Sequence, residues 1–343
     1  MLAEGSENCT AISYNLKKAA GVIKAGGLVA FPTETVYGLG ADAFNPQAVA
    51  RIYSAKGRPG DNPLITHIAS KEDFFKLADT PYPYTEKLIE VFWPGALTLI
   101  VKKKPNLPPW LGGHPNNVAE TLGIRMPAHE TALALITAAG CPISAPSANK
   151  AGKPSPTKAE HVADDYLPGE IDFILQGQAS DIGIESTVLD VTGEQPVVLR
   201  PGAITVSMIE EVTGIKCNNH NTYSMNAPKA PGMKYRHYAP KAPMAVLDGD
   251  IENVTKYIIA ECANYKKVGL LTKSIITGLP ENVVTLTCGA DEKAFAQNLF
   301  ACLREFDNLG VDKIYAQAIS DTELGTAIMD RLSKAAEGNI INV

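Results

Sequence analysis

Lys56 and Arg58, one glycine apart in Lys56-Gly57-Arg58-Pro59-Gly60-Asp61-Asn62-Pro63, are the most pointed chemistry in this chain. On an extended segment residues two apart face the same way, and Gly57 places no Cβ between them, so the two charges are expected side by side. Such a pair suits a polyphosphate, with the lysine as a point charge and the arginine as a planar fork. A solvated basic turn would account for a bare K-x-R. Here glycines and two prolines fix the backbone, which favours a built loop.

A second polar segment, Ser144 to Thr157, reads SAPSANKAGKPSPT. Ser147 and Asn149 fall on one side in the extended register, and Ser155 follows between prolines. Uncharged donors on a proline-stiffened backbone suit phosphate and nucleotide hydroxyl contacts; the plainer reading is a Ser/Pro-rich surface loop. Upstream, Thr33, Thr35, Tyr37, Gly38 and Gly40 follow an apolar run ending at Pro32, the composition of a strand emptying into a loop where backbone approaches a ligand. His67 lies in the apolar run Leu64–Ile68. A strand histidine is more often packed core than ligand, yet this one is close enough to Asn62 to share its pocket. Arg125 alternates with Ile124 and Met126 and so points away from their face; a surface ion pair or a carboxylate clamp explains it. Ser186 and Thr187 enter an apolar strand, and Arg200 ends another before the Pro201-Gly202 turn.

The elements that must carry these residues are legible by period and caps. Leu16, Ala19, Ala20 and Ile23 recur at helical spacing before Gly26-Gly27. Asn45-Pro46 opens a helix, and Ser70-x-x-Asp73 is a capping box. Strands repeatedly deliver Thr, Ser, Asn and Arg at their ends, as open α/β sheets do at a ligand crevice. At 343 residues two domains are expected: an α/β domain over 1–213, a linker over 214–243, and a smaller parallel α/β domain over 244–343, where strands and helices alternate. That second domain has no G-x-G-x-x-G and no Walker lysine, so dinucleotide binding there has no support. The linker holds Lys234, Tyr235, Arg236, His237 and Tyr238, residues that stack and bind anions, and is expected to form a lid.

Composition sets further bounds. A net charge of -6 argues against nucleic-acid binding by the surface as a whole. The six cysteines show no C-x-x-C and no metal-ligand spacing, so reduced thiols and no zinc site are expected. No signal-peptide pattern and no apolar run of about 20 residues is present, which places the expectation at a cytoplasmic protein with no membrane contact.

Taken in order, PTETVYGLG, KGRPGDNPL, SAPSAN…GKPSPT, ESTVLD, LRPGAI and PGMKYRHYAP closely resemble the two-domain L-threonylcarbamoyladenylate synthases, which begin threonylcarbamoyladenosine modification of tRNA. The likeness runs over nearly the whole chain, including LGTAIMDRLSKAA near its end. It implies a twisted N-terminal α/β domain with a basic cavity and a Rossmann-like C-terminal domain. It also implies a reaction in which L-threonine, bicarbonate and ATP give threonylcarbamoyl-AMP, pyrophosphate and water, with magnesium carried mainly on the ATP phosphates and no protein metal site. The product would pass to a threonylcarbamoyl transferase acting on tRNA, with weak or no direct tRNA binding by this chain. By position in the motifs, Lys56, Arg58, Ser147 and Asn149 would form the catalytic tetrad. Arg58, Asn62, Thr121, Ser147, Ser155, Arg200 and Tyr235 would contact ATP. Thr35, His67, Arg125, the backbone at Ala145, and Ser186 would contact threonine, while Lys234, Tyr235, Arg236 and His237 would form the lid. Two positions depart from the common pattern, Ala151 and Ala230, where serine is usual; neither is in the tetrad.

Two other classes compete. An RNA-binding module without catalysis would need the basic crevice to grip RNA, against the overall negative charge. An amidase-like hydrolase would pair Ser144 or Ser147 with Lys56 or Lys153, but no nucleophile elbow supports it.

Overall fold

The computed structural model describes residues 12–80, 82–219, 237–320 and 322–343. Asn45 caps the helix Pro46–Lys56, its side chain accepting from Ala48 N with Pro46 at the first helical position. Ser70 does the same for Lys71–Leu77 by accepting from Asp73 N. Asn15 opens Leu16–Lys24, whose Ala19, Ala20 and Ile23 are buried.

Twelve strands among the described residues form one mixed sheet. Eleven lie in the order Ile12–Ser13, Phe173–Leu175, Val29–Phe31, Gly38–Asp42, Ile143–Ser144, Ile65–His67, Thr121–Arg125, Leu97–Lys103, Thr187–Asp190, Val197–Arg200 and Asn218–Asn219, and Ala78–Asp79 pairs with Leu97–Lys103. Strand alternation divides its core. Val29 and Phe31 pack with the helices Leu16–Lys24 and Glu130–Ala139, whereas Ala30 and Leu39 pack under Pro46–Lys56 and Ala159–Ala163. A third cluster joins the helices Lys71–Leu77, Tyr84–Phe92 and Val206–Thr213 to the Leu97–Lys103 strand.

The second sheet is parallel throughout, in the order Val283–Thr287, Val268–Thr272, Lys313–Gln317, Met244–Asp248, Ile340–Asn342. The helix Ile251–Glu261 covers one face. Glu292–Leu309 and Glu323–Ala335 cover the other, and their apolar cluster also takes in Val36, Ile184 and Tyr238, so one core runs from this domain to the first. The expected α/β architecture with a smaller parallel domain is what is seen. Among the described residues, no helix is long and apolar enough to cross a membrane, and none of the described cysteines is in a disulfide.

One local expectation is corrected. Lys56 and Arg58 do not lie on an extended segment: the helix runs through Lys56, and Gly57 caps it with a left-handed φ of 61°. The bend, rather than strand alternation, sets where the two cations point.

Candidate active site

The end of the helix Pro46–Lys56 faces the Ser144–Thr157 segment, and a cleft lies between them. Lys56 is 3% exposed. Its Nζ donates to the backbone oxygen of Ser147 at 2.5 Å and to that of Asn149, while Ala151 N donates to Lys56 O at 2.8 Å. Burial, and then the Arg58 charge, push the Lys56 ammonium well below the ordinary lysine range. An anion placed beside it would reverse that push.

Arg58 folds back over its own loop. Nε donates to Asn62 O at 3.1 Å, and Nη2 donates to Asn62 Oδ1 and Pro63 O, both at 2.7 Å. The Tyr53 hydroxyl donates to the backbone oxygen of Asn62 at 3.0 Å. Burial draws the guanidinium down to about 10. Asn149 spends its amide hydrogens on Lys150 O and Lys153 O, each at 2.9 Å, and its buried Oδ1 has no partner among the described residues. This wall is thus a set of side chains anchored largely by backbone contacts, the kind of fixed arrangement preorganised electrostatic sites require.

The opposite wall is built on paired strands. His67 and Arg125 are register partners on parallel Ile65–His67 and Thr121–Arg125, so both side chains reach the same face. Arg125 Nη1 donates to Thr35 Oγ1 at 2.8 Å, Nε donates to Gly95 O at 3.1 Å, and Nη2 lies 2.6 Å from Glu34 Oε2. The arginine is in a buried ion pair, not a surface one. Burial, then the Arg125 charge, draw His67 down to about 3, so its imidazole is neutral near pH 7. Ala145 N donates to Ile65 O at 2.9 Å, and Ala145 lines the cleft.

Ser186 and Arg200 close the far end. Arg200 Nε and Nη2 donate to Ser186 O at 3.1 and 2.9 Å, and the Ser186 hydroxyl sits 2.8 Å from Thr98 Oγ1. Glu185, also buried, accepts from Ser155 Oγ at 2.5 Å through Oε1 and from Arg331 Nε at 3.1 Å through Oε2. Burial acts to raise its carboxyl, but Arg331 and Arg200 outweigh burial and hold it below the usual range.

Of the residues singled out by sequence, Lys56, Arg58, Asn62, Thr35, His67, Arg125, Ala145, Ser147, Asn149, Ser186 and Arg200 share this one cleft. Thr121, at the start of its strand, and Ser155, behind Glu185, are outside its lining. Lys234, Tyr235 and Arg236 lie outside the described residues. His237 and Tyr238 line the cleft: burial and the Arg58 charge draw His237 down to about 4, and the Tyr238 ring packs 5.1 Å from Phe300. Sequence reasoning passed over Glu34, Glu185 and Arg331. The available signal was a carboxylate inside each hydroxyl-rich motif, where a charge has no solvent to face. The Ser–Lys hydrolase arrangement is not formed, since Lys56 Nζ meets the Ser147 carbonyl and Lys153 Nζ lies 3.0 Å from Asp165.

A family model described as Telomere recombination (Sua5/YciO/YrdC) matches residues 21–202, and one described as the threonylcarbamoyl-AMP synthase C-terminal domain matches residues 204–337. The chain is 46% identical to a Pyrococcus abyssi protein named threonylcarbamoyl-AMP synthase, with 96% of each covered. It is 48% identical to the Bacillus subtilis protein of that name, over 95% of this chain and 94% of the relative. The structure of P. abyssi Sua5 complexed with L-threonine superposes with a TM-score of 0.88 at 44% identity, over 96% of each chain.

Proposed function

This chain belongs to the two-domain Sua5 threonylcarbamoyl-AMP synthase family, and from that premise we propose how its cleft carries out the reaction. The chain is a threonylcarbamoyl-AMP synthase that consumes threonine and ATP. Its finer class is a nucleotidyltransferase: threonine and bicarbonate form an N-carboxylate with loss of water, and a carbamate oxygen attacks the α-phosphorus of ATP as the bond to pyrophosphate breaks. The acyl adenylate then serves a transferase that installs N6-threonylcarbamoyladenosine at position 37 of tRNAs reading ANN codons.

The observation that carries this reading is the meeting of two unlike walls in one cleft. Arg125, Thr35 and His67 form a carboxylate- and hydroxyl-binding wall, and Ser186 faces the same space. Lys56, Arg58, Asn62, Ser147 and Asn149, with Arg200, form a wall for phosphates. Arg125 holds the amino acid's carboxylate away from the amine, which must be uncharged to meet bicarbonate. The neutral imidazole of His67 adds no second positive charge there. Fixed cations on the other wall stabilise charge as pyrophosphate leaves, so catalysis comes from positioning and electrostatics rather than from a side-chain nucleophile.

Magnesium fits as cargo of the nucleotide. No cluster of metal-binding side chains occurs among the described residues, and Glu185, which lines the cleft, has both carboxylate oxygens engaged. A divalent ion brought in with the nucleotide would be held mainly by ATP phosphates, supplying charge neutralisation there. Residues 1–213, 214–243 and 244–343 are proposed as catalytic domain, lid and supporting domain; the second sheet begins at Met244, whereas the last strand of the first, Asn218–Asn219, already falls within the proposed lid. The decisive experiment measures pyrophosphate release with each amino acid in turn, with and without bicarbonate. Threonine- and bicarbonate-dependent release that Arg58→Ala abolishes is expected. Wild-type rates in that variant would end the assignment of the phosphate wall, and ATP-independent RNA binding in its place would favour the RNA module.

A further inference from the structure

Arg331, on the helix Glu323–Ala335 of the second domain, is completely buried; Nη1 also meets Ala327 O at 3.4 Å and Asp330 Oδ2 at 3.2 Å on its own helix, but the rest of its fork's bonds cross the domain boundary. Nε donates to Glu185 Oε2 at 3.1 Å, Nη2 to Glu185 O at 3.1 Å, and Nη1 to Pro201 O. Each acceptor lies in the cleft wall, as Glu185 does, or next to it, as Pro201 does. Glu185 precedes Ser186, and Pro201 follows Arg200, which itself grips Ser186 O. Glu185 Oε1 meanwhile holds the Ser155 hydroxyl and so ties in the Ser144–Thr157 segment. One side chain from the second domain thus sits behind two segments that face the substrates, and behind a third through Glu185. It is absent from the cleft lining itself.

We propose that Arg331 is a positioning residue: through Glu185 and Pro201 it holds Ser186 and Arg200 in register, so that the second domain sets the affinity of the first domain's cleft. The reason lies in geometry and solvation. A planar fork meets three acceptors at once, which a lysine ammonium on a flexible stem cannot reproduce. Removing the fork leaves buried oxygens without donors, and the two segments lose the brace that aligns them. The inference rests on the reading of Ser186 as a threonine contact and Arg200 as an ATP contact.

The test uses full-length wild type, Arg331→Lys, Glu185→Gln and the double variant. Calorimetric titration with L-threonine and with ATP is run beside thermal unfolding and pyrophosphate-release kinetics. Arg331→Lys is expected to remain folded, to weaken binding of both ligands by about ten- to a hundredfold, and to raise KM more than it lowers kcat. Glu185→Gln should move the same constants in the same direction, and the double variant should fall short of the sum. Lowered thermal stability with unchanged dissociation constants would reduce Arg331 to a structural residue and overturn the proposal. If the lysine variant does not fold, unchanged binding in Glu185→Gln overturns it equally. Wild type that binds neither ligand removes the reaction assignment and this inference with it, whereas wild-type binding matched by both variants removes only this inference.

Discussion

Glu34, buried behind the cleft, forms an ion pair at 2.6 Å with Arg125, which lines it, and their side chains are only 6% and 4% exposed. Arg125, the proposed carboxylate clamp, therefore carries a counter-charge of its own before any substrate arrives. Glu34 Oε1 also accepts from Ala128 N at 3.0 Å, so the pair fixes the chain after the strand Thr121–Arg125 as well.

Arg125→Ala should abolish threonine binding and also destabilise the fold. It leaves a buried carboxylate without its partner, a loss of about 3–5 kcal/mol. Urea denaturation and threonine titration measure the two effects separately. Adding Glu34→Gln should recover part of the stability and none of the binding, since only the uncompensated charge is relieved. Full threonine affinity in Arg125→Ala would show that the carboxylate lies elsewhere.

Lys56→Met should lower kcat/KM for ATP by at least about a hundredfold, the usual scale for a lost fixed charge at a reacting centre. It should also cost roughly 1–3 kcal/mol for each carbonyl left without a donor, at Ser147 and Asn149. Lys56→Arg is not expected to rescue, because a planar fork does not fit a point-charge site. Reduced stability with unchanged ATP kinetics would make Lys56 a brace for the Ser147–Asn149 segment and nothing more.

Gly183→Ala should pry the domains apart. Gly183 has φ +80°, and a Cβ there would lie 2.3 Å from Gln297 Cα, in the backbone of the helix Glu292–Leu309. Gly140→Ala supplies the comparison: its φ is +73° with nothing within 4 Å, so only the left-handed backbone penalty of about 1–2 kcal/mol applies. Limited proteolysis within residues 214–243 reports domain separation. Equal protection of the two variants would mean that the interface yields at no cost.

Stability should fall as pH drops below neutrality. His67 is drawn down to about 3 in the folded protein, against about 6.5 in the unfolded chain. Between those values the unfolded state binds more protons, so stability rises with pH there and is lost as pH falls from about 6.5 toward 3. The slope for this one imidazole approaches about 1.4 kcal/mol per pH unit. His161 and His237, each drawn down to about 4 by burial, act in the same direction. Urea midpoints at stepped pH check this, with His67→Gln expected to flatten the dependence. A flat profile in wild type would mean that His67 is not held neutral.

Much of the molecule could be read from sequence because the signals are short-range. Asn45-Pro46, Ser70-x-x-Asp73 and the helical spacing of Leu16, Ala19, Ala20 and Ile23 specify their elements within a few residues, and the βαβ alternation after residue 243 specifies a parallel sheet. The motifs named most of the cleft's polar side chains before any strand order was known. The miss at Lys56 and Arg58 was also local: a glycine between two cations reads equally as an extended spacer or as a left-handed helix cap, and only the completed helix decides.

What sequence alone determined here is therefore the inventory: which elements form, which residues carry charge and hydroxyls, and which family pattern they follow. The tertiary structure alone decided the pairings. Arg331 meets Glu185 from 146 positions away, and Lys56 meets the Ser147 carbonyl from 91. Such partners are chosen by strand order, register and the burial that forces every desolvated charge to find a counterpart, and none of these leaves a trace in the spacing along the chain.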